Sequence, residues 1–314
     1  MEVRAVQLED AEAIHALTRR WEQFWNAPLV TPVDEIKEEM QLPHLNMASD
    51  TRSYWLDEKM IAFGRIWHRP GGRSLERAYV QGLVDPQHRK IGIGRDLLSW
   101  QIARATEILN DIDNDLPKYV RANEWDWIEE CHSLYRRFGL EPVRYFTEML
   151  LALDGRATVT DVPGVEIIAY DRALDQQALE VINTSFADHW GSTPVDSDSY
   201  RHRVEGYGMR LDASFLAMSG DEVIGVCLNT HYPEDEELLG RRDGWVETLG
   251  VLRDWRKQGV ATALLQTSFN AFLDLGFTHS SIGVDTANPS DAHRLYASLG
   301  YEPMHRSITS QLQV

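Results

Sequence analysis

The chain has 314 residues, 43% of them hydrophobic and 25% charged, and a formal net charge of −18. That composition is ordinary for a water-soluble globular protein, and the length favours two cores over one. The charge disfavours a nucleic-acid partner, because a polyanion is repelled and no run of Lys and Arg exceeds two residues.

The start of the chain is acidic and amphipathic. It has no basic segment leading into an apolar block, so no secretory signal is expected. "EVRAVQ" reads as a strand and Asp10–Asn26 as a helix, followed by a second helical segment, "VDEIKEEMQL". "SYWLDEKMIAFGRIW" reads as two strands joined by a tight turn, and "AYVQGLV" as a strand ending at Val84. The phrase "RKIGIGRDLL" follows, from Arg89 to Leu98. It opens a helix whose apolar residues Ile93, Leu97, Leu98, Ile102 and Ala105 keep the 3.6-residue period. A strand, "KYVRA", a helix carrying "LYRRFGL" and a closing strand, "VRYFTEML", complete this half.

Asp154–Gly164 is polar, has no period and holds one proline and two glycines, which marks a boundary. The plan then repeats. "VEIIAY" restarts a strand, a helix covers Asp171–Phe186, and "SDSYRHRVEGY" gives the second helical segment. "SFLAMSGDEVIGVCLNTHY" gives the strand pair, and "GWVETLGV" leads into "RKQGVATALL", Arg256 to Leu265. Val260, Leu264, Leu265, Phe269 and Phe272 are the apolar stripe of the helix that follows. "SSIGVD", the helix with "LYASLGY" and "SITSQLQV" end the chain. Such an internal repeat predicts two similar domains, 1–154 and 165–314, each an α/β (α+β) fold with a mixed sheet and flanking helices. The acidic stretch Pro233–Asp243 reads as a solvated hairpin tip. Cys131 and Cys227, one per half, read as reduced thiols, and with no apolar run near the roughly 20 residues of a membrane span a cytoplasmic protein is expected.

The repeated phrase has a physical reading. A strand-to-helix turn with small residues leaves the first helical amides without internal partners, and that end of a helix carries partial positive charge. It is an anion site suited to phosphate, with Arg256 and Lys257, or Arg89 and Lys90, adding formal charge. A dinucleotide fingerprint needs a third glycine and a P-loop needs Gly-Lys-Ser/Thr; neither is present. No metal-ligand spacing occurs among the 11 histidines, so no metal is expected.

The form Arg-x-x-Gly-x-Gly/Ala after a strand stands twice, as Arg89-Lys90-Ile91-Gly92-Ile93-Gly94 and as Arg256-Lys257-Gln258-Gly259-Val260-Ala261. With the "LY…G" helix and the closing strand, the whole chain resembles a tandem GNAT-family N-acetyltransferase. Its layout and the segment "NTSFADHWG" resemble mycothiol-synthase-like enzymes more narrowly, although Trp245 stands where that group has a glutamate. The resemblance implies two GNAT domains, each a mostly antiparallel sheet, and acetyl-CoA as co-substrate. Pantetheine would pair with Leu249, Gly250 and Val251, or with Gly82, Leu83 and Val84. Pyrophosphate would lie over residues 256–261, or 89–94. Asn288 would contact the CoA arm, besides capping its helix ahead of Pro289. Tyr296, with Tyr135 as its twin, would protonate the departing thiolate.

Glu247 shares a strand face with Leu249 and Val251, which suits a partly buried base for the attacking amine. Val80 holds the equivalent place in the first half, where no base is visible. The C-terminal half is therefore expected to be catalytic. For the N-terminal half a donor-binding role, a degenerate scaffold and a wall of the acceptor pocket stay open. Trp21 and Trp25, four apart on one helix, and Asp188, His189 and Trp190 are candidates for that pocket. The expected activity is transfer of acetyl to a primary amine of a small molecule, an aminoglycoside-like or cysteinyl-sugar compound for example, by direct attack in a ternary complex. A peptide or protein amine, or an acyl-CoA sensor without turnover, are the alternatives. The partner is then the amine acceptor, with no nucleic acid and no membrane, and the duplication favours a monomer.

Overall fold

The computed structural model describes residues 1–286 and 292–314. The first half forms β1 (Glu2–Arg4), α1 (Ala11–Trp25), α2 (Val33–Glu39), α3 (Met47–Asp50), β2 (Thr51–Leu56), β3 (Lys59–His68), β4 (Glu76–Val84), α4 (Ile93–Asn110), β5 (Lys118–Trp125), α5 (Glu129–Arg137) and β6 (Glu141–Ala152). The second forms β7 (Glu166–Ala169), α6 (Asp175–Ser185), α7 (Ser197–Val204), β8 (Phe215–Ser219), β9 (Glu222–Thr230), α8 (Asp235–Leu239), β10 (Asp243–Val251), α9 (Val260–Asp274), β11 (His279–Asp285), α10 (Ala292–Ser298) and β12 (Glu302–Gln313).

The chain divides into two compact units, residues 1–145 with 306–314, and residues 146–305. These differ from the contiguous halves 1–154 and 165–314. Residues 307–313 of β12 pair with β5 in the first unit, Ser307 opposite Trp125 and Gln313 opposite Tyr119. Residues 146–152 of β6 pair with β11 in the second, Phe146 opposite Asp285 and Ala152 opposite His279. Each unit thus takes its closing strand from the other half of the sequence. Because both units follow one plan, each offers an equivalent edge that the other half's closing strand fills.

Within the first unit the strands run β1-β2-β3-β4-β5-β12. All neighbours are antiparallel except β4 and β5, which are parallel. One face of the sheet packs on α1 and α2 through Ile14, Leu17, Ile36 and Met60. The other packs on α4 through Leu98, Ala105 and Leu109 against Ala78, Val120 and Ala122. The second unit repeats this as β7-β8-β9-β10-β11-β6, with only β10 and β11 parallel. Its α6 and α7 cover one face and α9 the other. Burial of each helix's apolar stripe on a sheet is the main force holding this arrangement.

The acidic stretch 233–243 is a correction. It holds the helix α8, stopped by Gly240 at φ 65°. Asp235, Glu236 and Glu237 crowd its first turn, where the helix dipole favours negative charge.

Removing residues 306–314 takes the strand beside β5 away. Backbone hydrogen exchange in β5 of that truncated chain should accelerate about tenfold or more, while β9 stays protected. Unchanged protection of β5 would show that β12 contributes little there.

Candidate functional site

The two copies of the phrase fold alike. Lys90 and Gly92 sit at φ 62° and 101°, and Lys257 and Gly259 at 60° and 94°. Gly92 is the N-cap of α4 and Gly259 the N-cap of α9. Left-handed backbone at the cap is strained for any residue with a Cβ, so glycine is required there. With no capping side chain on either glycine, the first amides of both helices stay available to an anion.

The strand before each phrase parts from its parallel neighbour. β4 pairs with β5 only from Glu76 to Tyr79, and β10 with β11 only from Asp243 to Val246. Gly82, Leu83 and Val84, and Leu249, Gly250 and Val251, therefore lie beyond the paired stretch. A second extended chain can hydrogen-bond to such an edge. In the second unit the parting coincides with a β-bulge at Glu247, between Val246 and Thr248 in the pairing with β9. The bulge turns Glu247 outward, so it is exposed rather than partly buried. β4 pairs with β3 without a bulge.

In the first unit a cavity of about 840 Å³ runs from this edge to the phrase. Gly82, Val84, Arg89, Lys90, Gly92 and Gly94 line it, and Trp21 and Trp25 stand on its wall. Ile93, the other residue singled out there, is buried against Leu97 and Tyr54. Arg89 is held by Glu130, its Nε 3.0 Å from Oε2, and lies 4.6 Å above the Phe24 ring. Lys90, Arg95 and Arg137 add positive charge to the lining.

A second cavity, about 390 Å³, adjoins it, and Trp21, Gly82 and Tyr135 line both. Glu124, near the end of β5, lines the smaller one. Burial pushes its carboxyl up to about 7, against hydrogen bonds from the Trp125 amide and the Cys131 thiol that pull it down. Burial also raises the Tyr135 phenol, with Cys131 and Glu124 adding to it. Sequence reasoning missed Glu124 because it sought a base on the central strand. A signal was present: the 161-residue offset that pairs Leu134 with Leu295 also pairs Glu124 with Asp285.

In the second unit Arg256 turns inward, donating from Nε to the Val251 carbonyl at 3.1 Å and from Nη2 to the Ser185 carbonyl at 2.9 Å. Gln258 donates to the Asp254 carbonyl, and Lys257 is exposed. Val260 is buried in the core under α9, and Ala261 packs against that core. Tyr296 is 7% exposed, edge-on to Tyr301 with ring centres 5.9 Å apart. Burial raises its phenol, which keeps it protonated. His189 lies against Phe186, ring centres 4.5 Å apart and planes tilted by 59°. Its pKa is lowered by burial, with Arg256 acting the same way and Asp285 and Asp188 opposing. Asp188 pairs with Arg253. Asn288 and Pro289 lie outside the described residues. Among the described residues no group of three or more His, Cys, Asp and Glu is placed to hold a metal ion, and no helix is long and apolar enough to cross a membrane.

Residues 176–301 match the model of the acetyltransferase (GNAT) family. No curated protein matches. Among solved structures, a GCN5-related N-acetyltransferase from Sphaerobacter thermophilus superposes with a TM-score of 0.76 at 22% identity, covering 99% of this chain and 95% of that one. A tandem GNAT protein from the clavulanic acid biosynthesis pathway gives 0.71 at 15%, covering 99% and 98%. A GCN5-related N-acetyltransferase from Kribbella flavida gives 0.61 at 14%, covering 99% and 70%.

The raised Glu124 carboxyl makes a stability prediction. The folded chain holds its proton up to about pH 7, whereas an unfolded glutamate releases it near 4.3. Stability from this group is thus present at low pH and falls as pH rises through that window. Glu124→Gln should raise the melting temperature at pH 8 and leave it nearly unchanged at about pH 3.5, below the unfolded value. Equal effects at both pH values would contradict the buried carboxyl.

Across its length the chain has the fold of the GNAT acyltransferase enzymes, and residues 176–301 carry that family's sequence pattern.

Proposed function

We propose that the protein is an acetyl-CoA-dependent N-acetyltransferase acting on a primary amine of a small molecule by direct attack, with Tyr296 and Glu247 serving the reaction in the C-terminal unit. The observation that carries this reading is the coincidence of two features on β10, the bulge at Glu247 and the parting from β11, with the left-handed cap of α9 at Gly259, nine residues beyond Gly250. The bulge re-aims the backbone just before the free edge. Leu249, Gly250 and Val251 then offer that edge to the pantetheine arm, and residues 256–261 offer amides to the pyrophosphate.

Transfer forms a C–N bond and breaks the C–S bond of the thioester. The amine loses a proton and the thiolate gains one. Glu247, exposed on its bulge, takes the amine proton through water. Tyr296, kept protonated by burial, gives its proton to the departing thiolate. The match over residues 176–301 supports this half as the seat of chemistry. Asn288 is proposed to bind the CoA arm in the same way as the family does.

Tyr296→Phe should lower kcat for amine-dependent thiol release by about 10- to 100-fold with little change in KM. Glu247→Gln should lower kcat less. Full activity in both variants would remove these residues from the reaction.

A further inference from the structure

The N-terminal unit does not have the look of a scaffold. Three observations there have no role in the C-terminal reaction. The first is a cavity of about 840 Å³ lined both by the capped turn at Gly92 and by Gly82 and Val84 at the free edge of β4. The second is a separate cavity of about 390 Å³ that meets it at Trp21, Gly82 and Tyr135. The third is a carboxyl, Glu124, which lines that smaller cavity together with Tyr135 and influences its phenol electrostatically.

We infer that the N-terminal unit is a second acyl-transfer site, in which Tyr135 and Glu124 acylate a small primary monoamine that has an apolar body and no carboxylate. This goes beyond the reading of the C-terminal unit and does not depend on it.

The chemistry follows from the layout. A thioester held along Gly82–Val84 would place its carbonyl where the two cavities meet. An amine in the smaller cavity attacks that carbon. The new C–N bond forms, the C–S bond breaks, Glu124 takes the amine proton and Tyr135 gives a proton to the thiolate. A carboxyl that titrates near 7 suits a base working at neutral pH.

The acceptor class follows from the lining of the smaller cavity. Trp21, Leu29, Ile36 and Phe63 supply an apolar wall. The charged lining is predominantly acidic: Glu35, Glu39 and Glu124 against one cation, Arg65. Arg65 is already committed, its Nη2 2.6 Å from Glu39 Oε1 and its Nε 2.8 Å from Gln81 Oε1. A carboxylate on the acceptor would face those acids without a partner, whereas an ammonium approaching the site is attracted. The volume suits a compact molecule rather than a folded protein surface.

The test uses the full chain carrying Gly259→Glu, which puts a negative side chain at the C-terminal cap. Thiol release from acetyl-CoA is followed with 2-phenylethylamine, hexylamine, glycine and glutamate. The expected result is turnover of the two apolar amines at least 100-fold above that of the two amino acids. Adding Tyr135→Phe or Glu124→Gln should then lower kcat by about 100-fold, and Glu124→Gln should also abolish the acidic limb of the pH profile, which a merely structural role would leave in place. Groups that share that environment and bear on the limb are Cys131, Tyr135, Glu35, Glu39 and Arg65; Cys131→Ala should move the limb and not remove it.

If the Gly259→Glu chain turns over no amine while the wild type does, the second site is wrong and the C-terminal reading stands. If the wild type also releases no thiol with any amine, both readings fall. Turnover of amino acids as fast as apolar amines would overturn the acceptor class.

Discussion

Everything functional in this molecule rests on one backbone constraint, met twice. A helix must begin directly behind a strand end with its first amides uncovered, and that requires left-handed backbone at the cap. Gly92 and Gly259 supply it, each two residues after a lysine that is itself left-handed. A residue with a Cβ would be strained there, and a capping side chain would occupy the amides that an anion needs. The strand parting has the same logic. A sheet that stayed paired to its end would leave no backbone for a ligand, so β4 and β10 leave their parallel neighbours just before the turn.

From that shared frame the units diverge. The second unit has a bulge on its central strand and a buried tyrosine edge-on to a core ring. The first has an unbroken register but a buried carboxyl on the neighbouring strand and a tyrosine on the wall between two cavities. The two arrangements place a carboxyl and a tyrosine by different routes, one by re-aiming a strand, the other by setting a side chain of the strand beyond into a cavity wall. Duplication makes this possible, because one copy can change while the other keeps the original constellation.

Much of this is legible in the sequence. The repeated phrase marks both caps, the apolar stripes from Ile93 and Val260 mark both helices, and the turns before Met60 and Val223 mark both hairpins. Local pattern determines these, so local reading finds them. Two features lie beyond it. The exchange of closing strands is invisible because the local pattern of residues 146–152 and 307–313 marks a strand without naming the distant strand it pairs with. Glu124 is hidden for a different reason. Its significance depends on a cavity assembled from α1, β4, β5 and α5, and spacing along one strand carries no trace of that. Glu247 shows the converse: period-2 reasoning gives it a shared face with Leu249, and a bulge, which shifts the register by one residue, removes it from that face.

The measurement that tests the account most directly is calorimetric titration of the full chain with acetyl-CoA. Two binding sites per chain are predicted, one of which disappears in Gly92→Glu while the other is retained. A single site that survives Gly92→Glu unchanged would contradict the claim that the capped turn of the first unit is a working anion site.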